Sequence, residues 1–285
     1  MSDRRQFLLQ ALASAGLLAA SARELFASPF GMPIGCQTWP VRHLIAQSFP
    51  RTLATLQRAG FQAIELCSPV GYAQQGFAGL ARYRPAQLRR MIADAGLICI
   101  SSHFTFAELR AHQPGRIEWA REMGLRQMLV PSLDGPAHPT LDQVKRLADE
   151  YNRIGENAAR AGLRQGLHNE VFEDGWINGQ VHGRRVYDAL FEYLDPRWVK
   201  FQFQVIAIRE GLDPITYFRR YPGRFLSMHL QGWSARTRKM APIGQDSLNW
   251  PRIFAAAKIG GIQNYFLEMR LPLMEASLPY IRRLS

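Results

Sequence analysis

The sequence predicts a single α/β domain closed as a (β/α)8 barrel, and three observations lead there. The first is a repeated unit in which a helical stretch ends in a small residue and Gly, followed by a short apolar run. It occurs at Ala59-Gly60 before Phe61–Glu65, Ala95-Gly96 before Leu97–Ser101 and Met123-Gly124 before Leu125–Leu129. It returns at Ala161-Gly162 before Leu163–His168 and at Gly260-Gly261 before Ile262–Glu268. Gly accepts the left-handed conformation that ends a helix, and a short apolar run behind it fits a buried parallel strand. The second observation is the count: Ile34–Gln37, Val199–Val205 and Phe225–Leu230 add three strands, making eight. The third is length, since the 285-residue chain is the size of one such barrel, about 250 residues plus a leader. An open doubly wound sheet is the alternative, but no G-x-G-x-x-G follows the first strand and there is no P-loop.

The intervening helices are expected at 50–59, 85–95, 115–123, 140–161, 184–194, 213–220, 249–259 and 272–283. Pro85, Pro214 and Pro251 stand near helix starts, where a missing N–H costs nothing. Thr140, Asp213 and Asn249 are suited to N-caps.

Residues 1–28 read as a leader ahead of one domain spanning 29–285. Arg4-Arg5-Gln6-Phe7-Leu8 opens a short apolar run to Ala20. Ala20-Ser21-Ala22 is a small-x-small cleavage site, with Phe26-Ala27-Ser28 a poorer one. This is the layout of a twin-arginine export signal, so a periplasmic location is expected; an amphipathic N-terminal helix is the alternative. The only long apolar stretch is this one, so no stable membrane anchor is expected. Cys36, Cys67 and Cys99 are odd in number and lack CxxC spacing, which favours buried free thiols. The net charge is +12 and the pI about 10.2. The leader adds little to it, so the domain itself is basic. The arginine pairs, such as Arg89-Arg90 and Arg282-Arg283, are scattered along the helices and form no single block.

In a (β/α)8 barrel the active site lies at the C-terminal ends of the strands, so the residues there carry the argument. They are Gln37 with Trp39 beyond, Glu65, His103, Pro131-Ser132, His168-Asn169-Glu170, Gln204, His229 with Gln231, and Glu268. Three of the seven histidines fall in this set. Residues i and i+2 share a strand face, so His168 aligns with Glu170 and His229 with Gln231. A carboxylate behind an apolar run, as at Glu65 and Glu268, is costly unless paired or metal-bound. Trp39, Phe104, Phe106, Trp176 and Trp233 follow strand ends, where an aromatic ring either stacks on a sugar or packs the core.

These residues and several ordered motifs give a resemblance to the xylose-isomerase-like TIM barrels, the sugar phosphate isomerase/epimerase family, over residues 34–283. The matching stretches are Gly35-Cys36-Gln37-Thr38-Trp39-Pro40, Ser102-His103, Asn152 through Leu163, His168-Asn169-Glu170-Val171-Phe172-Glu173, Tyr221-Pro222-Gly223 leading to His229, and Ile243-Gly244-Gln245-Asp246-Ser247-Leu248-Asn249-Trp250-Pro251. The resemblance implies a divalent metal held by strands 5 to 8, in the family commonly through Glu, Asp, His and Glu. Matched by position, the ligands are His168, Gln204, His229 and Glu268. Gln204 replaces the Asp, His168 takes the first position with Glu170 and Glu173 nearby as substitutes, and Gln231 replaces a frequent Lys. Two His, one Gln and one Glu suit Mn²⁺, Zn²⁺ or Fe²⁺ better than Mg²⁺, which prefers oxygen ligands.

The expected activity is proton abstraction next to the carbonyl of a sugar or keto-sugar, assisted by that metal. Glu268, Glu170, Glu173 and His103 are the catalytic set. Gln37, Trp39, Glu65, His103, Gln231 and Trp233 are expected to bind the substrate. Isomerisation, epimerisation and elimination from a 3-keto-glycoside share this chemistry and stay open, and export favours unphosphorylated sugars. A sugar-binding barrel without catalysis is the second reading, supported by Gln204 and Gln231. A nuclease reading, prompted by the basic charge, lacks the richer His/Asp/Glu set, so a small sugar and not nucleic acid is the expected partner. A homo-oligomer is compatible with all of this.

Overall fold

A computed structural model describes residues 29–136, 138–170 and 179–284. The expected leader lies outside the described residues. Eight parallel strands form a closed barrel: β1 (Ile34–Gln37), β2 (Ala63–Cys67), β3 (Ile98–His103), β4 (Gln127–Val130), β5 (Arg164–His168), β6 (Val199–Gln204), β7 (Phe225–Leu230) and β8 (Asn264–Leu267). Each strand pairs with its neighbours in sequence, and β8 closes on β1 through Ile34–Tyr265, Gly35–Phe266 and Cys36–Leu267. Short antiparallel ribbons at 180–185 and 233–240 decorate the loops after β5 and β7.

The helices are α1 (Arg42–Gln47), α2 (Phe49–Ala59), α3 (Pro85–Asp94), α4 (Phe106–Met123), α5 (Leu141–Arg160), α6 (Val186–Tyr193), α7 (Pro214–Arg220), α8 (Trp250–Gly260) and α9 (Leu271–Ile281). Their ends follow the expected local chemistry. Thr140, Asp213 and Asn249 accept first-turn amides from their own helices. Gly60, Gly124 and Gly261 cap α2, α4 and α8 with positive φ. No described helix is long and apolar enough to cross a membrane.

Two helical expectations are corrected. The helix expected from 115 begins at Phe106, because Thr105 caps Glu108 N and the helix continues past Pro114 with a kink at His112. Proline bends a helix without ending it when the turn before it relaxes. The short α1 was not expected at all. Phe104 and Phe106 are fully buried and pack on Trp119 and Tyr151, so they belong to the core and not to a sugar platform. Cys36 and Cys67 are buried free thiols and Cys99 is half-buried and free.

Inside the barrel the closure is tight. At Gly35 an added Cβ would stand 2.4 Å from a Phe266 ring carbon and 2.5 Å from the Tyr265 carbonyl oxygen. Phe266 in turn packs edge-on beneath His229. Gly35→Ala is therefore expected to destabilise the fold by about 1–3 kcal/mol through overpacking, read as a lower midpoint in urea unfolding followed by circular dichroism.

Candidate active site

The polar residues that end the strands meet in one place. At its floor is Glu65, which is wholly buried. Its Oε2 accepts from His229 Nε2 at 2.6 Å and lies 3.1 Å from His103 Nε2. Its Oε1 accepts from Ser101 Oγ at 2.6 Å and from Gln202 Nε2 at 2.9 Å. Gln202 also donates to Ser227 Oγ at 2.9 Å, and its carbonyl faces His103 Nε2 at 2.8 Å. One layer of the interior is thus a hydrogen-bonded cluster drawn from β2, β3, β6 and β7.

Above that floor stands Glu268, just past β8. Its Oε2 takes His229 Nδ1 at 3.0 Å, Gln231 Nε2 at 2.8 Å and Gln204 Nε2 at 3.2 Å. Asn169 steadies the neighbouring strand end by accepting from Gln204 N at 2.6 Å. The cup opens into a cavity of about 200 Å³ lined by Trp39, Cys67, Tyr72 and Pro131 together with the polar Gln37, His103, Ser132, Glu170 and Glu268. Larger grooves elsewhere, such as the one along α6 lined by Arg184, Arg185 and Arg220, contain none of these strand-end groups.

The electrostatics follow from burial and pairing. Burial opposes ionisation of Glu65, but the charges and hydrogen bonds of His103 and His229 outweigh it and hold the carboxyl well below its usual range. Burial likewise opposes a charge on His229, yet the two carboxylates that flank it push it up to about 10. Burial, reinforced by His229 and His103, holds His168 well below the ordinary histidine value. Burial and the nearby Glu268 push Glu170 up to about 7.

A metal ion suits this donor set. Both ring nitrogens of His168 are buried and without a hydrogen-bond partner among the described residues, a costly state for an imidazole that binds nothing. His103, His168 and His229 each offer one ligand atom, all within 4.8 Å of one another. The rings of His168 and His229 lie 4.6 Å apart.

With this geometry in view, sequence comparison matches residues 53–282 to the model of the xylose isomerase-like TIM barrels. The chain belongs to that family. Solved structures agree with the xylose isomerase-like fold. A sugar phosphate isomerase/epimerase from Parabacteroides distasonis ATCC 8503 is 26% identical, with a TM-score of 0.70, 88% of this chain and 94% of that one being covered. The probable 3-DHS dehydratase AsbF of Bacillus anthracis is 13% identical, with a TM-score of 0.68 over 89% of this chain and 100% of that one. A xylose isomerase-like TIM barrel protein from Mycobacterium smegmatis, in complex with magnesium, is 14% identical, with a TM-score of 0.64 over 90% and 97%. The last two establish the fold alone. The chain matches no curated protein.

Within this xylose isomerase-like barrel, the four residues expected to hold a metal stand together: His168, Gln204, His229 and Glu268. Gln37, Trp39, His103, Glu170 and Glu268 line the cavity. Two substrate-binding expectations are corrected. Glu65 does not end its strand: β2 runs on to Cys67, so the carboxylate lies a layer deeper and its four acceptor positions are filled. Trp233 sits in the ribbon after β7, opposite Met240, outside the cavity lining. Gln231 reaches Glu268 and is not itself in the lining. Glu173 and Trp176 lie outside the described residues. Sequence reasoning missed Gln202, Ser101 and Ser227 as the floor, although the i, i+2 relation of Gln202 to Gln204 put Gln202 on the inner face.

It also missed Tyr72, whose place depends on the loop after β2. Tyr72 meets the Trp39 ring edge-on at 5.9 Å, and its hydroxyl is buried and unpaired among the described residues. Ser68 holds that loop by accepting from Val70 N and Gly71 N while donating to Glu108 Oε1 at 2.6 Å. Burial raises the Glu108 carboxyl above its ordinary value, more than Ser68 and Arg116 lower it. A carboxyl raised in the folded state stabilises fully below its unfolded value, and that contribution is lost as pH rises through the folded one. Glu108→Gln, which cannot ionise, is expected to gain thermal stability relative to wild type as pH climbs from 4.5 to 7. Melting temperatures of the two proteins across that range check it.

Proposed function

We propose that this protein is an enzyme of the sugar isomerase/epimerase kind, which moves a proton beside the carbonyl of a sugar or keto-sugar. The observation that carries the reading is that Glu170 and Glu268 line one cavity of about 200 Å³ together with the rings of Trp39 and Tyr72. Two carboxylates with differing environments are the arrangement that proton removal and return require. The Parabacteroides distasonis structure, named as a sugar phosphate isomerase/epimerase, supports the same class.

The residues divide the work. Trp39 and Tyr72 present apolar ring surface to one face of a sugar, and the unpaired Tyr72 hydroxyl is free to bond one of its hydroxyls. Arg42 pins Trp39 by lying 4.5 Å over its ring and donating to its carbonyl oxygen. Gln37 accepts from Trp39 N and fixes the start of that loop. Glu170 and Glu268 take and return the proton. His103 stands at the lining with Nε2 tied to the floor, leaving the rest of its ring for substrate. His168, Gln204, His229 and Glu268 would hold a divalent metal, which when bound polarises the carbonyl and the adjacent hydroxyl. Nitrogen ligands and a single carboxylate favour Mn²⁺, Zn²⁺ or Fe²⁺ over Mg²⁺.

Purified protein incubated with a panel of aldoses and ketoses in D2O is expected to wash deuterium into the carbon beside the carbonyl of at least one sugar, seen by NMR. Glu170→Gln and Glu268→Gln should each slow that exchange by about 10²- to 10⁴-fold. Binding without exchange in the wild type would support a sugar-binding barrel instead.

Export is part of the proposal: the leader of residues 1–28 carries the folded protein through the twin-arginine route. Replacing Arg4 and Arg5 together by Lys is expected to leave the protein in the cytoplasm, which fractionation and immunoblotting would reveal.

A further inference from the structure

We propose that Glu65 is a positioning residue that fixes hydrogen on Nε2 of His103 and His229 at once and so turns the Nδ1 edge of each ring toward the cup. The two rings are nearly parallel, 14° apart with centroids at 5.4 Å. Both direct Nε2 to the same oxygen, Glu65 Oε2, at 3.1 and 2.6 Å. A carboxylate oxygen only accepts, so each Nε2 must carry hydrogen. The second acceptor near His103 Nε2, the Gln202 carbonyl, enforces the same choice. That carbonyl is itself oriented, because the Gln202 amino group is committed to Glu65 Oε1 and Ser227 Oγ.

Glu65 is in turn unable to move. It is fully buried, and Ser101 and Gln202 occupy its other oxygen. With Nε2 fixed below, Nδ1 of His103 is the nitrogen left for chemistry. In His229 the opposite nitrogen faces a second carboxylate, Glu268, at 3.0 Å and donates to it, a bond that a metal ion would replace. A buried carboxylate behind a ligating imidazole fixes ring orientation and raises basicity. Here one carboxylate serves two rings from strands β3 and β7, whereas a single carboxylate–histidine pair would fix only one. Glu65 itself does not line the cavity.

The geometry also says why Glu and not Gln must stand there. Both oxygens accept, two bonds each. A carboxamide at 65 would have to turn N–H groups either on Gln202 and Ser101 or on the two imidazoles. In the second case each ring must offer a lone pair at Nε2 and carry its hydrogen on Nδ1.

The metal arm of the test rests on the reading of the cup as a metal site; the tautomer arm does not. Protein labelled with 15N-histidine, purified free of metal, is expected to show His103 protonated at Nε2 and unprotonated at Nδ1, and His229 protonated at Nε2. Glu65→Gln, checked for folding by circular dichroism, should disturb both ring patterns and weaken Mn²⁺ binding in calorimetry by about 10- to 100-fold. Unchanged ring patterns with wild-type Mn²⁺ affinity in Glu65→Gln would overturn the proposal. If wild type takes up no metal, or if Glu65→Gln fails to fold, the ring patterns of the wild type decide alone: hydrogen on Nδ1 of His103 overturns the assignment, and hydrogen on Nε2 with Nδ1 bare upholds it. Absence of metal uptake by wild type would count against the metal reading separately.

Discussion

A carboxylate enclosed in a barrel is tolerated only when its oxygens are fully engaged, because nothing else offsets the loss of water around the charge. Glu65 meets that condition with partners from three other strands: Ser101 and His103 on β3, Gln202 on β6 and His229 on β7. Removing any of these leaves a buried polar group unpaired, so the cluster is satisfied as a whole or not at all. The rest of the cup is stacked on it. His229 carries the link upward to Glu268, and Glu268 gathers Gln204 and Gln231.

This layering separates two tasks that a single shell of residues would have to share. The floor holds orientation and reaches the cavity only through His103. The mouth, with Glu170, Glu268, Trp39 and Tyr72, meets the substrate. The separation has an electrostatic side as well. His229 lies between two carboxylates, which push it up to about 10, while burial and its neighbours hold His168 beside it well below the ordinary histidine value. Two imidazoles 4.6 Å apart thus have opposite tendencies. The amides of Gln204 and Gln231 complete the set around Glu268 without adding charge.

The aromatic part of the lining is built differently. It depends on loops whose positions are set by side chains: Arg42 over Trp39, and Ser68 with Glu108 beneath the turn that carries Tyr72. Loops on a rigid barrel are where specificity is varied without disturbing the fold.

Much of this was legible in the sequence, because it rests on local rules. Gly after a helix, short apolar runs and their number specify eight βα units, since helix termination and strand burial are decided by neighbouring residues. The residues at the strand ends follow from the same count, with His168, Gln204, His229 and Glu268 among them, and the family resemblance is what groups those four. What only the tertiary structure decided is depth and partnership. Glu65 looked like a strand end, but β2 extends two residues further and sinks it into the floor. Its partners lie 137 and 164 positions away at Gln202 and His229. Trp233, close to a strand end in the chain, turned away into a ribbon, and Tyr72 came in from a loop with no periodic pattern. The physical reason is that stagger between strands, rotamer choice and loop closure are fixed by the closed ring of all eight strands at once, and no window of sequence contains them.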